Sequence, residues 1–466
     1  METVEADYVV IGAGAVGMSF ADVVVAESDA TVVLVDRRDR PGGHWNDAYS
    51  FVRLHQPSAY YGVGSTELGR RRVDVSGTNA GLNELASGVE VCDYFDRVMQ
   101  DTLVSSGRVR YFPMSEYGDG VIRSLLTGER TAVRARHRVV DAAYVGSEIP
   151  SQRPPPYAAA DDVDVVPVNS LSRVRHPYEG YVVVGGGKTG IDACQWLLDR
   201  EVDASTITWI RPRDPWLLNR STIQGGGEFA LRTLECFATQ IEVIAAASSL
   251  DDLVTDLEAA DLLLRIDPTH RPTMFRGATV THAEIECLRR IDDVVRMGYV
   301  SRIDAEAIVL EHGTVPTSPG RLHVDCTAAG VRHRPAVPVF DGDRITLQYL
   351  VWGGHPTLSA AVAARIELVG ADDGERNALC PPLPITGDAR DIPRYLLADM
   401  QTRSRWSKVP ELADWLTACR LNPAAGIMSS LQPDDAAALA AVARRRASLR
   451  TARENLARLL GAAPVA

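Results

Sequence analysis

The chain has 466 residues, 45% of them hydrophobic, and a formal net charge of −12, so it is long enough to bury two hydrophobic cores. With neither a basic tail nor a long Lys/Arg run, that negative balance argues against nonspecific binding to nucleic acid or an anionic membrane surface. No apolar stretch is long enough to span a bilayer, and Met1-Glu2-Thr3-Val4-Glu5 is acidic where a secretory leader is basic, so a cytoplasmic protein with no membrane or nucleic-acid partner is expected.

Tyr8-Val9-Val10-Ile11 reads as a buried strand, followed by the fingerprint Gly12-Ala13-Gly14-Ala15-Val16-Gly17, a helix over 16–27 and a second strand, Thr31-Val32-Val33-Leu34-Val35. Gly12, Gly14 and Gly17 allow a tight turn, close approach of backbone to a pyrophosphate and close helix–strand packing. The helix N-terminus offers unpaired N–H groups to the phosphates. Asp36, with Arg37 beside it, ends the second strand; a carboxylate there accepts hydrogen bonds from ribose hydroxyls, which suits the adenosine half of FAD or NAD.

A Pro-rich and then acidic stretch, Pro154-Pro155-Pro156 and Asp161-Asp162-Val163-Asp164, reads as a linker into a second nucleotide fold. There Tyr181-Val182-Val183-Val184 precedes Gly185-Gly186-Gly187-Lys188-Thr189-Gly190, a helix over 191–200 and the strand Thr206-Ile207-Thr208-Trp209-Ile210. A Walker loop would need glycine at position 182, where this chain has Val182. The second strand ends in Arg211-Pro212-Arg213 rather than an acid, and guanidinium groups there pair with the 2′-phosphate of NADPH; Asp214 next door can neutralise one of them.

The fold class expected is α/β, with two Rossmann-like dinucleotide-binding domains. The first takes residues 1–165 and resumes over 322–380, the second takes 166–321, and a helical region covers 381–466. Apolar residues at helical spacing over 229–237, 250–264 and 282–297 mark a helical insertion of about 225–297. It is either a substrate lid hinged at Gly225-Gly226-Gly227 or a layer over one face of the sheet. Pro356 and Thr357 open a helix whose N-terminus suits the negative charge of a reduced flavin, and His355 precedes it. The last helices, patterned over 394–400, 410–421 and 434–460, dock on the protein itself or form a homodimer contact, with Arg444-Arg445-Arg446 as a solvated face. The seven cysteines, at 92, 194, 236, 287, 326, 380 and 419, form no CxxC pair and read as small buried hydrophobes; neither a metal cluster nor a catalytic triad is legible.

In motif order over roughly residues 5–370, the chain resembles the class B flavoprotein monooxygenases, which include flavin-containing monooxygenases, Baeyer–Villiger monooxygenases and amine N-hydroxylases. Arg40-Pro41-Gly42-Gly43-His44-Trp45 is similar to the family's GGxW segment, which implies that Gly43, His44 and Trp45 run beside the FAD pyrophosphate. Leu54-His55-Gln56-Pro57 resembles the polar-Pro stretch near the flavin ring. Val139-Val140-Asp141-Ala142-Ala143 and Val324-Asp325-Cys326-Thr327-Ala328-Ala329-Gly330 look like the two strands at which the chain crosses between domains. The phenylalanine-glycine-histidine signature is absent; Pro167-Val168-Asn169-Ser170-Leu171 and later His176 stand in its place.

The resemblance implies hydride transfer from NADPH to FAD, capture of O2 as a C4a-(hydro)peroxyflavin, and oxygenation of a small molecule at N, S or a carbonyl carbon. It makes His55, Gln56 and His355 the candidate catalytic residues and sets Lys188, Thr189 and Asn219 near the nicotinamide nucleotide. The alternatives are an NADPH-dependent flavin reductase or dehydrogenase that does not oxygenate, and a redox-sensing flavoprotein that does not turn over.

Overall fold

The structure is a computed structural model that describes residues 3–328, 330–352 and 356–461. Its first sheet is built on the strand Thr3–Ile11, which pairs in parallel with Val32–Val35 on one side and Arg130–Asp141 on the other. Val109–Phe112 extends the sheet beyond Val32–Val35, and Arg344–Thr346 extends it beyond Arg130–Asp141. All four residues of Val32–Val35 are buried, as an interior parallel strand requires when both faces are covered. The helix Ala15–Glu27 crosses over one face, wedged between the sheet and the helix Pro356–Val369; its residues 17–25 are all buried, so it reads as apolar rather than amphipathic.

The second sheet is five parallel strands in the order Val294–Val295, Ile207–Ile210, Gly180–Val184, Arg321–Asp325, Val165–Pro167. Here the expected boundary moves. Arg321–Asp325 pairs with the central strand Gly180–Val184, so the expected resumption of the first domain at 322 falls inside the second sheet, and the chain returns only after Asp325. Two segments link the domains, and they pair with each other as short antiparallel strands, Ser147–Glu148 and Gly330–Val331.

The insertion also differs from a purely helical one. Helices Ala230–Ala246, Leu250–Ala259 and His282–Leu288 are present. Alongside them Pro215–Asn219, Leu263–Leu264 and Met274–Val280 form a small sheet, whose Trp216, Leu263 and Phe275 share a core with Ile241, Ile244, Leu253 and Leu257 of the first two helices, while Val280 packs with Ile285 and Leu288 of the third.

The C-terminal region docks on its own chain. The helix Ala436–Leu459 lies along Ala230–Ala246, with Ala438 and Ala441 against Ala230, Leu234 and Ala238. Asn455 Nδ2 donates to the carbonyls of Ile244 (2.9 Å) and Ala247 (2.7 Å). The arginine run is not simply a solvated face: Arg444 Nε donates to Glu242 at 2.8 Å, and the Arg445 Nε is buried. Gly225–Gly227 is a packing notch rather than a bare hinge. Gly226 N–H donates to the Tyr60 hydroxyl at 2.6 Å, and a Cβ on Gly226 would lie 2.3 Å from the Gly426 carbonyl oxygen.

Candidate cofactor site

Each glycine loop sits where its sheet's strands end, and local sterics explain its residues. In the first loop Gly12 has φ +104, open only to glycine at low cost, and a Cβ on Gly17 would lie 1.9 Å from the Gly12 carbonyl oxygen. The second loop repeats this: Gly185 has φ +134, and a Cβ on Gly190 would lie 2.0 Å from the Gly185 oxygen. The small residues after the crossover strands close each turn from below, Ala142 beneath Gly12 and Gly17, Cys326 beneath Gly185. Ala329, in the second of those segments, lies outside the described residues.

Both following helices begin without a side-chain cap and with no acid in the first turn, their N-caps being Gly14 and Gly187. Some other helices are capped by side chains, among them the reciprocal pairs Ser87/Glu90 and Thr281/Glu284 and the side chains of Ser249 and Asp372, while Ala230–Ala246, Ile392–Trp406 and Pro410–Ala418 are not; what sets the two loops apart is the glycine turn in front of each bare N-terminus. The first N–H groups at the two loops are thus left for an external anion.

Around the first loop the Gly42–Trp45 segment forms a facing wall. Gly42 N–H donates to the Ala13 carbonyl at 2.9 Å, and a Cβ on Gly43 would come to 3.0 Å from the Gly14 Cα, a slot that side chains would fill. Asp36 is 6% exposed; it accepts from the N–H of Ala13 (2.7 Å) and of Arg38 (2.8 Å), one bond per oxygen, so each oxygen retains a lone pair for a ribose hydroxyl. Arg37 turns away toward solvent and pairs with Glu116 at 3.3 Å. His44 stacks on Trp45, whose indole N–H donates to the Tyr61 hydroxyl at 2.7 Å. Burial, with Arg38 nearby, lowers the His44 pKa to about 4, so the ring is neutral.

At the expected flavin end, Thr357 is fully buried; its carbonyl accepts from Ser19 Oγ at 2.9 Å, while its own Oγ1 has no partner among the described residues. An orphaned buried hydroxyl in the first turn of the helix Pro356–Val369 fits a polar ring edge presented there. His355 lies outside the described residues, as do Gly353 and Gly354. His55 and the half-buried Gln56 lie where the first domain meets the second, and the His55 ring accepts from the Thr279 N–H at 3.2 Å.

The second loop brings Lys188, Thr189 and Tyr49 together. Lys188 pairs with Asp192, which also accepts from the Tyr49 hydroxyl at 2.6 Å, and the Tyr49 hydroxyl bonds the Thr189 side chain too. Burial and the Asp192 carboxylate push the Tyr49 pKa well above its usual value. A Cβ on Gly187 would meet nothing within 4 Å, so this is the open side of the loop.

The two arginines divide. Arg211 is not a surface arm: it is 1% exposed, lies over the Trp209 ring at 4.6 Å and pairs with Asp214 at 3.3 Å. Its Nε and Nη1 nonetheless have no acceptor in hydrogen-bond geometry among the described residues. Arg213 is half-buried and reaches Thr273. Asn219 departs from the expected nucleotide role. It is fully buried, its amide donates to Asp261 (2.8 and 3.0 Å), and its oxygen caps Ser221, so its donors are spent on the fold.

Arg220, Tyr49, Tyr60 and Gln224, none of them singled out by sequence pattern, join the two domains, Gln224 by accepting from the N–H and side-chain amide of Asn83 at 2.8 and 2.9 Å. Only Arg220 carries a sequence signal, its place in Asn219-Arg220-Ser221-Thr222, a polar run at the end of the apolar strand Pro215–Asn219. The seven cysteines are free, and burial raises the thiol pKa of Cys419 to about 11. Among the described residues no cluster could hold a metal ion, and no helix is long and apolar enough to cross a membrane.

Residues 10–62 match the family described as NAD(P)-binding Rossmann-like domain. In overall course the chain is similar to a solved oxidized steroid monooxygenase bound to NADP, at 14% identity and TM-score 0.45 over 97% of this chain and 98% of that one. It is also similar to a cyclohexanone monooxygenase in its open form, at 13% identity and TM-score 0.47 over 79% of this chain and 89% of that one. Uncharacterized protein Rv2000 of Mycobacterium tuberculosis is 49% identical over 463 residues, 99% of this chain and 86% of that protein. The chain therefore belongs to the same family as this mycobacterial protein, and its first glycine loop lies within the stretch that matches the NAD(P)-binding Rossmann-like description.

Proposed function

We propose that the protein is an FAD- and NADPH-dependent oxidoreductase, and within that class a monooxygenase acting on a small organic molecule at N, S or a carbonyl carbon. The observation that carries the reading is the pair of uncapped, glycine-cradled helix N-termini that follow central parallel strands of two sheets, joined through the Tyr49–Asp192–Lys188 contacts.

In this reading Gly14 and Gly43 flank the FAD pyrophosphate, and Asp36 accepts from the adenosine ribose. Thr357, with its unpartnered hydroxyl, and the N-terminus of Pro356–Val369 would hold the polar part of the flavin ring. Gly187 and the N-terminus of Lys188–Asp199 take the NADPH pyrophosphate, while Arg213 supplies an accessible guanidinium for the 2′-phosphate, backed by the buried charge of Arg211. When bound, the flavin supplies hydride acceptance and reaction with O2, so the protein contributes alignment, charge control and exclusion of water.

The test is to purify the protein, release and identify its flavin, and follow NADPH oxidation with O2 uptake and peroxide release over amines, thioethers and ketones. A monooxygenase consumes NADPH and O2 together, with little peroxide, on its true substrate. NADPH oxidation coupled to an acceptor without O2 would instead make it a reductase, and no NADPH oxidation under any condition would make it a sensor.

A further inference from the structure

His55 belongs to the first domain but is held by the second. Its ring Nδ1 accepts from the backbone N–H of Thr279 at 3.2 Å. Its carbonyl accepts from the Thr279 hydroxyl and from Arg220 Nε, the latter at 3.1 Å. A backbone amide can only donate, so Nδ1 must carry its lone pair, and an imidazole in that state is neutral with its single proton on Nε2.

Arg220 keeps these parts in register. It is 1% exposed, and its guanidinium also donates to the Thr279 carbonyl (3.1 Å) and to Asn79 Oδ1 of the first domain (3.1 Å). Glu284 balances its charge at 2.9 Å and is itself fixed as an acceptor from the Thr281 N–H at 2.7 Å. A buried charge so paired is costly to disturb from either side.

We infer that His55 works as a neutral imidazole whose proton the second domain fixes on Nε2, a hydrogen-bond donor rather than a proton acceptor, with Arg220 as the positioning residue that maintains this arrangement. A fixed donor stabilises negative charge developing beside it without moving a proton. The arrangement exists only while the domains are docked through Arg220 and Thr279; apart, the ring returns to a mixture of tautomers. The inference rests on the proposed flavoenzyme only for where the donor is used. The tautomer itself stands on the interdomain contact.

The experiment is nitrogen NMR of the purified full-length protein labelled with 15N-histidine, the His55 signals being assigned by their loss in His55→Gln. The expected spectrum shows an unprotonated Nδ1 and a protonated Nε2, well separated; averaged shifts, or a proton on Nδ1, overturn the proposal. Arg220→Lys, and Arg220→Met combined with Glu284→Gln so that no carboxylate is stranded, should draw the two shifts together. Wild-type separation in a folded form of either variant overturns the positioning role. Activity supplies a second arm: glutamine can accept from Thr279 through Oε1 and donate through Nε2, so His55→Gln should restore part of the NADPH coupling that His55→Phe loses. Equal loss in both would mean that a proton acceptor was needed. If the protein binds no flavin, the proposed function fails while the NMR arm still decides the tautomer.

Discussion

Two neighbouring glycines of the second loop should respond to alanine in opposite ways. A Cβ on Gly190 would lie 2.0 Å from the Gly185 oxygen, and Cβ contacts under 3.0 Å are essentially never found, so the helix Lys188–Asp199 must retreat. That overpacking costs about 1–3 kcal/mol. Losing the 2.9 Å bond from the Trp209 indole to the Gly185 oxygen adds about 1 kcal/mol. Gly187, by contrast, has φ −84 and ψ −174, a conformation alanine adopts freely, and its Cβ meets no protein atom within 4 Å. Gly187→Ala should therefore cost the fold no more than about 1 kcal/mol, the N-cap preference of glycine over alanine. It puts a methyl where the nucleotide's phosphates approach, raising the KM for NADPH by about tenfold or more, or roughly 1.4 kcal/mol. Urea unfolding without nucleotide, set beside NADPH kinetics, separates the two. Wild-type NADPH kinetics in Gly187→Ala would refute the placement of the nucleotide, and wild-type stability in Gly190→Ala would refute the packing argument.

Three further outcomes follow from the same geometry. Arg213→Ala should lower kcat/KM for NADPH relative to NADH by the loss of a charge-assisted bond, about 1.5–3 kcal/mol; Arg211→Ala should instead destabilise the domain by removing the cation over Trp209, and equal effects on both nucleotides in Arg213→Ala would remove it from the site. Lys188→Ala, which leaves Asp192 with the Tyr49 hydroxyl but without its cation, should weaken retention of the oxidised nucleotide and raise peroxide released per NADPH consumed; unchanged coupling would leave Lys188 a purely structural partner of Asp192. His44, with its pKa lowered from 6.5 to about 4, adds stability that is complete above pH 6.5 and is lost as pH falls toward 4, at most about 3 kcal/mol. Unfolding of flavin-free protein across that range should be steeper in pH than that of His44→Gln, and equal slopes would contradict a buried neutral ring.

What the sequence revealed was what local backbone sterics decide. Gly12, Gly17, Gly185 and Gly190 are glycines because any side chain would strike the strand beneath or require a left-handed backbone, and the alternating context of strand, loop and helix makes that visible in one dimension. Asp36 at its strand end is legible for the same reason. Pairing between distant segments is not. Leu322-His323-Val324 reads as a buried strand whichever sheet takes it, and only its pairing with Gly180–Val184 places the boundary after Asp325 rather than at 322. Arg211 and Asn219 look like polar groups at the end of a strand, and only the packing of Trp209 and Asp261 around them shows that they face inward. Gly225–Gly227 looks like a hinge until Tyr60 and Gly426, hundreds of residues apart in sequence, are seen filling the space its missing side chains leave.

The most direct test of two dinucleotide sites acting on each other is an anaerobic titration of the purified protein with NADPH and, separately, NADH, read by the visible absorbance of its flavin. The released flavin should be FAD, NADPH should bleach it stoichiometrically with NADH less effective, and the oxidised spectrum should return when O2 is admitted. A protein that neither carries nor takes up FAD, or whose bound FAD neither nucleotide bleaches, would contradict two dinucleotide sites acting on each other.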